Sequence, residues 1–290
     1  ICFGQSNGSA EVTGVDGTPS YSYSWSDGQT NALATGLSVG SYNCTITDFN
    51  GCTDNITVEI DQPTLLTSNE VSVSDVSCFG GNNGSAEVEG VNGSPTYSYL
   101  WDNGQTTAQV SGLSFGPYTC TITDDNECTT IITVQVDQPD DLTITLTETN
   151  VTCFGDDNGE IIADVQGGID TSPYNYVWSS DIGVTPSGDD FIDGLAPATY
   201  TLNVFDANNC QATNQVDITE PIVLSSNVVN TDSTLCFGSS DGSAEVTGVN
   251  GTPNYSYLWS DGQTNALATG LSVGSYNCTI TDFNGCTDNI

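Results

Sequence analysis

Tyr118-Thr119-Cys120-Thr121-Ile122-Thr123-Asp124 alternates a threonine with a different side chain at every second position. A period of two belongs to a β-strand, so Tyr118, Cys120, Ile122 and Asp124 share one face and the threonines the other. Upstream, Tyr97-Ser98-Tyr99-Leu100-Trp101 repeats the pattern and puts Tyr97, Tyr99 and Trp101 on one side. Short runs of this kind, separated by Asn-Gly, Asp-Gly and Pro, fill the chain, which has no helical stripe or heptad. Here they predict strands near Leu66 to Val76, Ser85 to Val91, Tyr97 to Trp101, Ala108 to Leu113, Gly116 to Asp124 and Thr129 to Val136. The fold class is therefore all-β, and six or seven short strands in about 75 residues fit a compact immunoglobulin-like sandwich. A Tyr-x-Cys on a late strand with a Trp on an earlier one echoes that fold, although Cys78 lies well upstream of where its first cysteine belongs.

The stretch from Cys78 to Cys128 is one copy of a repeat. Its signposts recur as Cys2, Trp25, Tyr42 and Cys52, as Cys153, Trp178, Tyr200 and Cys210, and as Cys236, Trp259, Tyr276 and Cys286. Copies one and four, Ile1 to Ile56 and Leu235 to Ile290, differ at six positions, the mark of recent duplication or homogenisation. Joints fall at Asp61-Gln62-Pro63, Asp137-Gln138-Pro139 and Glu220-Pro221, where proline blocks further ladder pairing. They divide the chain into repeats at 1–62, 63–138, 139–220 and 221–290. Relative to the second, the first lacks its opening apolar segment and the fourth its closing strand, as expected for an excerpt of a longer array. Short joints without a Gly/Ser-rich linker predict a semi-rigid, elongated rod.

There are 37 acidic residues and no lysine, arginine or histidine, for a formal net charge of −37. Nucleic acid and direct membrane insertion or anionic-membrane binding are excluded as partners, because phosphate-rich surfaces are held through basic side chains. Catalysis loses its usual general bases, and no enzyme is expected. The acidic surface keeps the molecule soluble and self-repelling, with exposed charges screened beyond about 8 Å at physiological salt.

Of eleven cysteines, copies one, two and four hold three each, whereas the third keeps Cys153 and Cys210 and has Leu202 where the others have Cys44, Cys120 and Cys278. The first and last cysteine of each copy are thus the constant pair. They predict bridges Cys2–Cys52, Cys78–Cys128, Cys153–Cys210 and Cys236–Cys286, each closing a loop of about 50 residues and contributing about 4 kcal/mol. Disulfides place the protein outside the cell. The remaining three are expected to be inert core thiols rather than reactive groups. No C-x-x-C spacing supports a metal at the cysteines.

The loops Asp48-Phe49-Asn50-Gly51-Cys52, Asp124-Asp125-Asn126-Glu127-Cys128, Asp206-Ala207-Asn208-Asn209-Cys210 and Asp282-Phe283-Asn284-Gly285-Cys286 each offer oxygen ligands at alternate positions. Such spacing resembles the start of a calcium loop, but no bidentate Glu closes it, and Asx-type turns explain the same residues. Both readings stand at this stage: Asp48, Asn50, Asp124, Asn126, Asp206, Asn208, Asp282 and Asn284 as calcium ligands, or as turn residues. The run Gly155-Asp156-Asp157-Asn158-Gly159-Glu160 is a weaker calcium candidate. The Tyr-x-Tyr-x-Trp strand reads as core, with a sugar-stacking platform as the alternative. Phe49 and Phe283, in predicted turns, could be exposed contacts.

Taken together, Cys-Phe-Gly, Asn/Asp-Gly-Ser-Ala, Tyr-Ser-Tyr-x-Trp-Ser-Asp-Gly-Gln-Thr, Tyr-x-Cys-Thr-Ile-Thr-Asp and Asn-Gly-Cys make the units resemble SprB repeats, which occur in very large surface adhesins of gliding Bacteroidetes. The third unit departs most, with a longer Trp178 to Tyr200 segment and Glu160-Ile161-Ile162 in place of Ser-Ala-Glu. The resemblance implies type IX secretion, attachment to the outer membrane as filaments, and gliding motility. Its implied partners are neighbouring repeats, the gliding and secretion machinery, and a substratum or polysaccharide. A carbohydrate-binding array and a spacer in another secreted protein are the alternatives. Asp232-Ser233-Thr234 resembles an O-glycosylation site of such exported proteins, at Ser233 or Thr234; Asn-x-Ser/Thr triplets at Asn83 and Asn150 do not fit the family's host.

Overall fold

In the second repeat, alternation becomes two facing sheets. A computed structural model describes residues 2–169, 173–183 and 190–290. The first repeat contains β1 (Gly8–Glu11), β2 (Ser22–Trp25), β3 (Leu33–Leu37), β4 (Gly40–Thr47) and β5 (Thr53–Ile60). The second adds β6 (Thr67–Ser74), β7 (Gly84–Val91), β8 (Ser98–Trp101), β9 (Gln109–Leu113), β10 (Gly116–Thr123) and β11 (Thr129–Val136). The third comprises β12 (Asp140–Thr149), β13 (Gly159–Gly168), β14 (Asn175–Ser180), β15 (Phe191–Leu195), β16 (Ala198–Phe205) and β17 (Gln211–Ile218). The fourth has β18 (Ser225–Asp232), β19 (Gly242–Val249), β20 (Ser256–Trp259), β21 (Leu267–Leu271), β22 (Cys278–Thr281) and β23 (Thr287–Asn289). All described elements are strands.

Each of the last three repeats is a sandwich of two antiparallel three-stranded sheets. In the second these are β6-β7-β9 and β8-β10-β11, and the first repeat shows the same plan as β1-β3 facing β2-β4-β5. The tandem immunoglobulin-like reading is correct. Six strands in this order bring the inward side chains of both sheets into one core: Val88, Val110 and Leu113 from one, Trp101, Cys120, Ile122, Val134 and Val136 from the other. Trp101 lies directly opposite Cys120 across the β8–β10 ladder, as Trp178 lies opposite Leu202. Leu202 and Cys120 are both fully buried, so the exchange in the third repeat swaps one core residue for another.

Two local devices fix this geometry. Tyr118 Oη accepts from Ser114 N (3.0 Å) and donates to Ser114 O (3.2 Å), tying β10 to the turn before it. Tyr42, Tyr200 and Tyr276 bond the equivalent backbone, the tyrosine corner of immunoglobulin-like sandwiches. Gly84 is the second: a Cβ there would sit 2.7 Å from Val136 Cγ1 and 2.9 Å from Leu113 O, so only glycine lets the sheets close at that end.

The chain gathers into two compact units, residues 1–139 and 140–290, each holding two repeats. Most of the added length of the third repeat, 184–189, lies outside the described residues, as does Ile1.

Candidate functional site at the repeat junctions

Each Cys-Phe-Gly is a tight turn, closed by Gln5 N–H to Cys2 O, Gly81 N–H to Cys78 O, Asp156 N–H to Cys153 O and Ser239 N–H to Cys236 O. Its glycine has φ between 69° and 81° at Gly4, Gly80, Gly155 and Gly238, a left-handed conformation that a side chain disfavours. The amide of that glycine is then held by the joint residue of the same repeat. Gly4 N–H donates to Gln62 Oε1 (2.8 Å), Gly80 N–H to Gln138 Oε1 (2.9 Å) and Gly155 N–H to Glu220 Oε2 (3.0 Å). This bond gives the Gln-Pro and Glu-Pro joints a function that sequence reading missed; the shared recurrence of Cys-Phe-Gly and Gln-Pro was the available signal. It pins the opening cysteine to the end of the sandwich where the last strand finishes.

The closing cysteine sits at the other end. Cys52 and Cys128 immediately precede β5 and β11, strands of eight residues each, which span about 26 Å. A disulfide needs Cα atoms within about 7 Å. The pairs Cys2–Cys52, Cys78–Cys128, Cys153–Cys210 and Cys236–Cys286 are therefore ruled out by position, and the structure corrects all four. Cys2 instead bonds Cys128, and Cys153 bonds Cys286, each with Cα atoms 5.6 Å apart. Cys78 and Cys210 are also disulfide-bonded. Cys52 and Cys236 are free and exposed.

The opening turn of one repeat thus docks on the closing loop of the next. Between repeats 1 and 2, Phe3 and Gln5 face Leu65, Leu66 and Glu127 around a cleft of about 350 Å³. Between repeats 3 and 4, Phe154 and Asp156 face Val223, Leu224 and Gly285 around a smaller cleft of about 270 Å³. There Asn284 Nδ2 also donates to Thr152 O (3.2 Å).

The closing loop is organised by its aspartate. Asp124 Oδ1 accepts from the amides of Asn126 and Cys128, and Oδ2 from Ser94, all at 2.9 Å. Asp48 receives the same three bonds from Asn50, Cys52 and Thr18, Asp206 from Asn208, Cys210 and Ile169, and Asp282 from Asn284, Cys286 and Thr252. Asn126 Nδ2 donates to Ser94 Oγ (2.6 Å), repeated by Asn50 with Thr18 and Asn284 with Thr252. The Asp-x-Asn residues form Asx turns that lock the closing loop to the loop before the Tyr-x-Tyr-x-Trp strand. For Asp124, burial alone would raise its pKa, but the bonds from Ser94, Cys128 and Asn126 outweigh it and hold the carboxyl below the usual range. Asp48 is likewise lowered, chiefly by the Thr18 and Cys52 amides.

Three N–H dipoles converging on each carboxylate make an anion's surroundings. Among the described residues, no group of three or more His, Cys, Asp or Glu side chains is gathered for a metal. Asp156, in the weaker candidate run, accepts from Thr152 Oγ1 (3.4 Å), while Asn158 Oδ1 accepts from Thr152 N–H (3.0 Å).

The remaining candidates separate by burial. Trp25, Trp101, Trp178 and Trp259 are buried, and the indoles of Trp25, Trp101 and Trp259 donate to the carbonyls of Asn31, Thr107 and Asn265. The aromatic strand is core. Burial pushes the thiols of Cys44, Cys120 and Cys278 up, which suppresses the thiolate. Phe49 and Phe283 are exposed turn residues. Ser233 is exposed and Thr234 half-buried, between β18 and the opening turn of repeat 4. No described helix is long and apolar enough to cross a membrane.

The profile of the family described as "SprB repeat" matches residues 1–30, 71–106, 145–181 and 228–264. No curated protein matches the chain in sequence. Among solved structures, the insect immune protein hemolin is 12% identical over 100% of this chain and 95% of its own, with a TM-score of 0.28. The four N-terminal immunoglobulin domains of Dscam1 isoform 8.4 are 10% identical over 93% and 90%, with a TM-score of 0.24. The protocadherin GammaB4 extracellular domain is 9% identical over 99% of this chain and 63% of its own, with a TM-score of 0.34.

Proposed function

We propose that the chain, whose four repeats each match the SprB repeat profile, is a segment of a secreted cell-surface adhesin filament, acting as stalk and adhesive in surface attachment and gliding. The observation that carries this reading is the pair of disulfides joining successive repeats, Cys2–Cys128 and Cys153–Cys286. Such bonds persist in oxidising, extracellular settings, and they serve a protein whose work is to hold repeats in sequence. Uniform acidity without basic residues suits a crowded surface coat that must not collapse on itself. Neither the buried tryptophans nor the amide-filled carboxylates offer a catalytic group, and the role is structural. Secretion by the type IX route and linkage to the gliding machinery of the outer membrane belong to this proposal, as does a polysaccharide or other substratum as the adhesive target. O-glycosylation at Ser233 or Thr234 is part of it as well.

The test is genetic and cellular. Deleting the repeats in the producing cell should abolish antibody labelling of intact cells and reduce attachment and spreading on agar or glass. Unchanged attachment and motility in the deletion would overturn the proposal. The carbohydrate-binding alternative is separated by applying the purified chain to agarose and a glycan array, where a stalk passes through unretained.

A further inference from the structure

We infer that Cys120 is a concealed release nucleophile for the junction disulfide: when the second sandwich opens, its thiol displaces Cys2 from Cys128 and uncouples the two repeats. The same three-cysteine arrangement, Cys278 with Cys286 and Cys153, recurs at the junction of repeats 3 and 4. In both, the core cysteine precedes the bonded closing cysteine by eight residues. Cys120 and Cys278 are free and fully buried. Repeat 3 omits the arrangement and has Leu202 eight residues before the disulfide-bonded Cys210. Leu202 is just as fully buried, so the packing of the sandwich does not itself require a thiol there.

The folded sandwich keeps nucleophile and bond apart. Cys120 lies opposite Ile132, four residues beyond Cys128, which separates the two cysteines by about 13 Å along β11. A disulfide needs Cα atoms within about 7 Å. Burial also pushes the Cys120 thiol up, away from the reactive thiolate. Unfolding reverses both. β11 follows Cys128 directly, so tension carried through the Cys2–Cys128 bond enters β11 first and peels it from β10. β11 supplies Val134 and Val136 to the core that encloses Cys120, and its loss lays the thiol open. Once the chain is unfolded, exchanging a loop with a sequence separation of 126 for one of eight favours the local bond by roughly sixtyfold in chain entropy. The fold thus holds the junction bond, and the unfolded chain the local one.

The step is a thiol–disulfide exchange that needs no outside oxidant or reductant. The Cys120 thiolate attacks the Cys128 sulfur, the Cys120–Cys128 bond forms as the Cys2–Cys128 bond breaks, and Cys2 leaves as a thiolate. That thiolate takes up the proton Cys120 gave up. One disulfide and one thiol remain at the end, as at the start.

The experiment unfolds the full chain, carrying Cys52→Ser and Cys236→Ser to remove the exposed thiols, in guanidinium chloride at about pH 8.5 without reductant. Thiols are then trapped with maleimide and the disulfides mapped by mass spectrometry. The expected products are a Cys120–Cys128 bond with Cys2 labelled, and a Cys278–Cys286 bond with Cys153 labelled. Bonds from Cys44, which lies 42 residues from Cys2, should be roughly tenfold rarer. The folded chain at the same pH should keep Cys2–Cys128 and Cys153–Cys286. Cys120→Leu should keep Cys2–Cys128 even when unfolded, and Leu202→Cys should extend the release to Cys210. The inference is overturned if Cys2–Cys128 survives unfolding while Cys120 takes up maleimide, if Cys120→Leu frees Cys2 as readily as the parent chain, or if Cys120 is found joined to Cys2.

Discussion

Replacing Asp124 by alanine removes a single buried carboxylate that three backbone amides share, those of Ser94, Asn126 and Cys128, each at 2.9 Å. A hydrogen bond to a charged group contributes about 1.5 to 3 kcal/mol net, and a buried donor left without a partner costs a comparable amount. Three such bonds would total well above 4 kcal/mol if they were independent, which neighbours in one loop are not. The turn keeps its backbone bonds, Asp124 N–H to Cys128 O, Glu127 N–H to Asp124 O and Asp125 N–H to Ser94 O. Water can also reach some of the freed amides after a small relaxation. The expected loss is about 3 to 5 kcal/mol in the second repeat, a large fraction of the 5 to 15 kcal/mol typical of a domain. Asp124→Asn should lose about half as much, since one oxygen still accepts from Asn126 and Cys128 while the new NH₂ confronts the Ser94 amide.

Hydrogen exchange read by mass spectrometry on the full chain resolves this repeat by repeat. Protection should fall in peptides covering 92–101 and 118–136, and not in the equivalent peptides of the fourth repeat. The carboxyl's lowered pKa adds a pH signature. A depressed folded pKa gives stability that is full above the unfolded value near 3.9 and is lost as pH falls through the folded one. Wild type should therefore lose protection below about pH 4 more steeply than Asp124→Asn. A loss of under about 1 kcal/mol in Asp124→Ala, or identical acid profiles, would refute the claim that this carboxylate locks the loop.

Three more perturbations test the same geometry. Converting both Cys2 and Cys128 to serine opens a loop with a sequence separation of 126 residues, and should destabilise residues 1–139 by up to about 5 kcal/mol in the chain-entropy model; denaturant midpoints that match those of the oxidised protein would contradict it. Glu127 has φ of 64° where the first and fourth repeats have Gly51 and Gly285, so Glu127→Gly should raise the stability of the second repeat by about 1 kcal/mol, checked by the same exchange measurement. Calcium should raise the melting temperature no more than sodium chloride of equal ionic strength, because amides already occupy the Asp48, Asp124, Asp206 and Asp282 carboxylates; a calcium-specific rise abolished by Asp124→Asn would reinstate the chelating reading.

The strands were legible because the sheets are two-sided, and a threonine separates each inward position from Tyr118 to Asp124. The core roles of Trp101 and Cys120 come from the same alternation, confirmed by the Leu202 exchange. The disulfide partners were not legible. In a periodic array, pairing first with last inside a repeat and pairing first with last across a junction leave the same pattern of kept and lost cysteines. Choosing between them needs the end of the sandwich each cysteine occupies, and that depends on the bonds from Gly4 to Gln62 and Gly80 to Gln138, of which the sequence shows only that the two partners recur together. The Asp-x-Asn loops were ambiguous for a related reason. Oxygens at alternate positions suit both a cation and a ring of amides, and only the direction of the Ser94, Asn126 and Cys128 N–H groups separates the two.

The junction disulfides also set how far the polypeptide can be drawn out. A fully extended chain from Cys2 to Cys286 would reach roughly 1,000 Å at about 3.4 Å per residue. With Cys2 fastened to Cys128 and Cys153 to Cys286, a pull on the two ends bypasses nearly everything inside those loops. The only stretch between the two loops that can be paid out is 129–152, which is 24 residues and roughly 80 Å. Even with every sandwich unravelled, the extension between Cys2 and Cys286 is limited to roughly the length of that stretch, and a further pull loads the disulfides instead of unwinding more of the repeats. Reducing agent should turn the same chain into a long, yielding one.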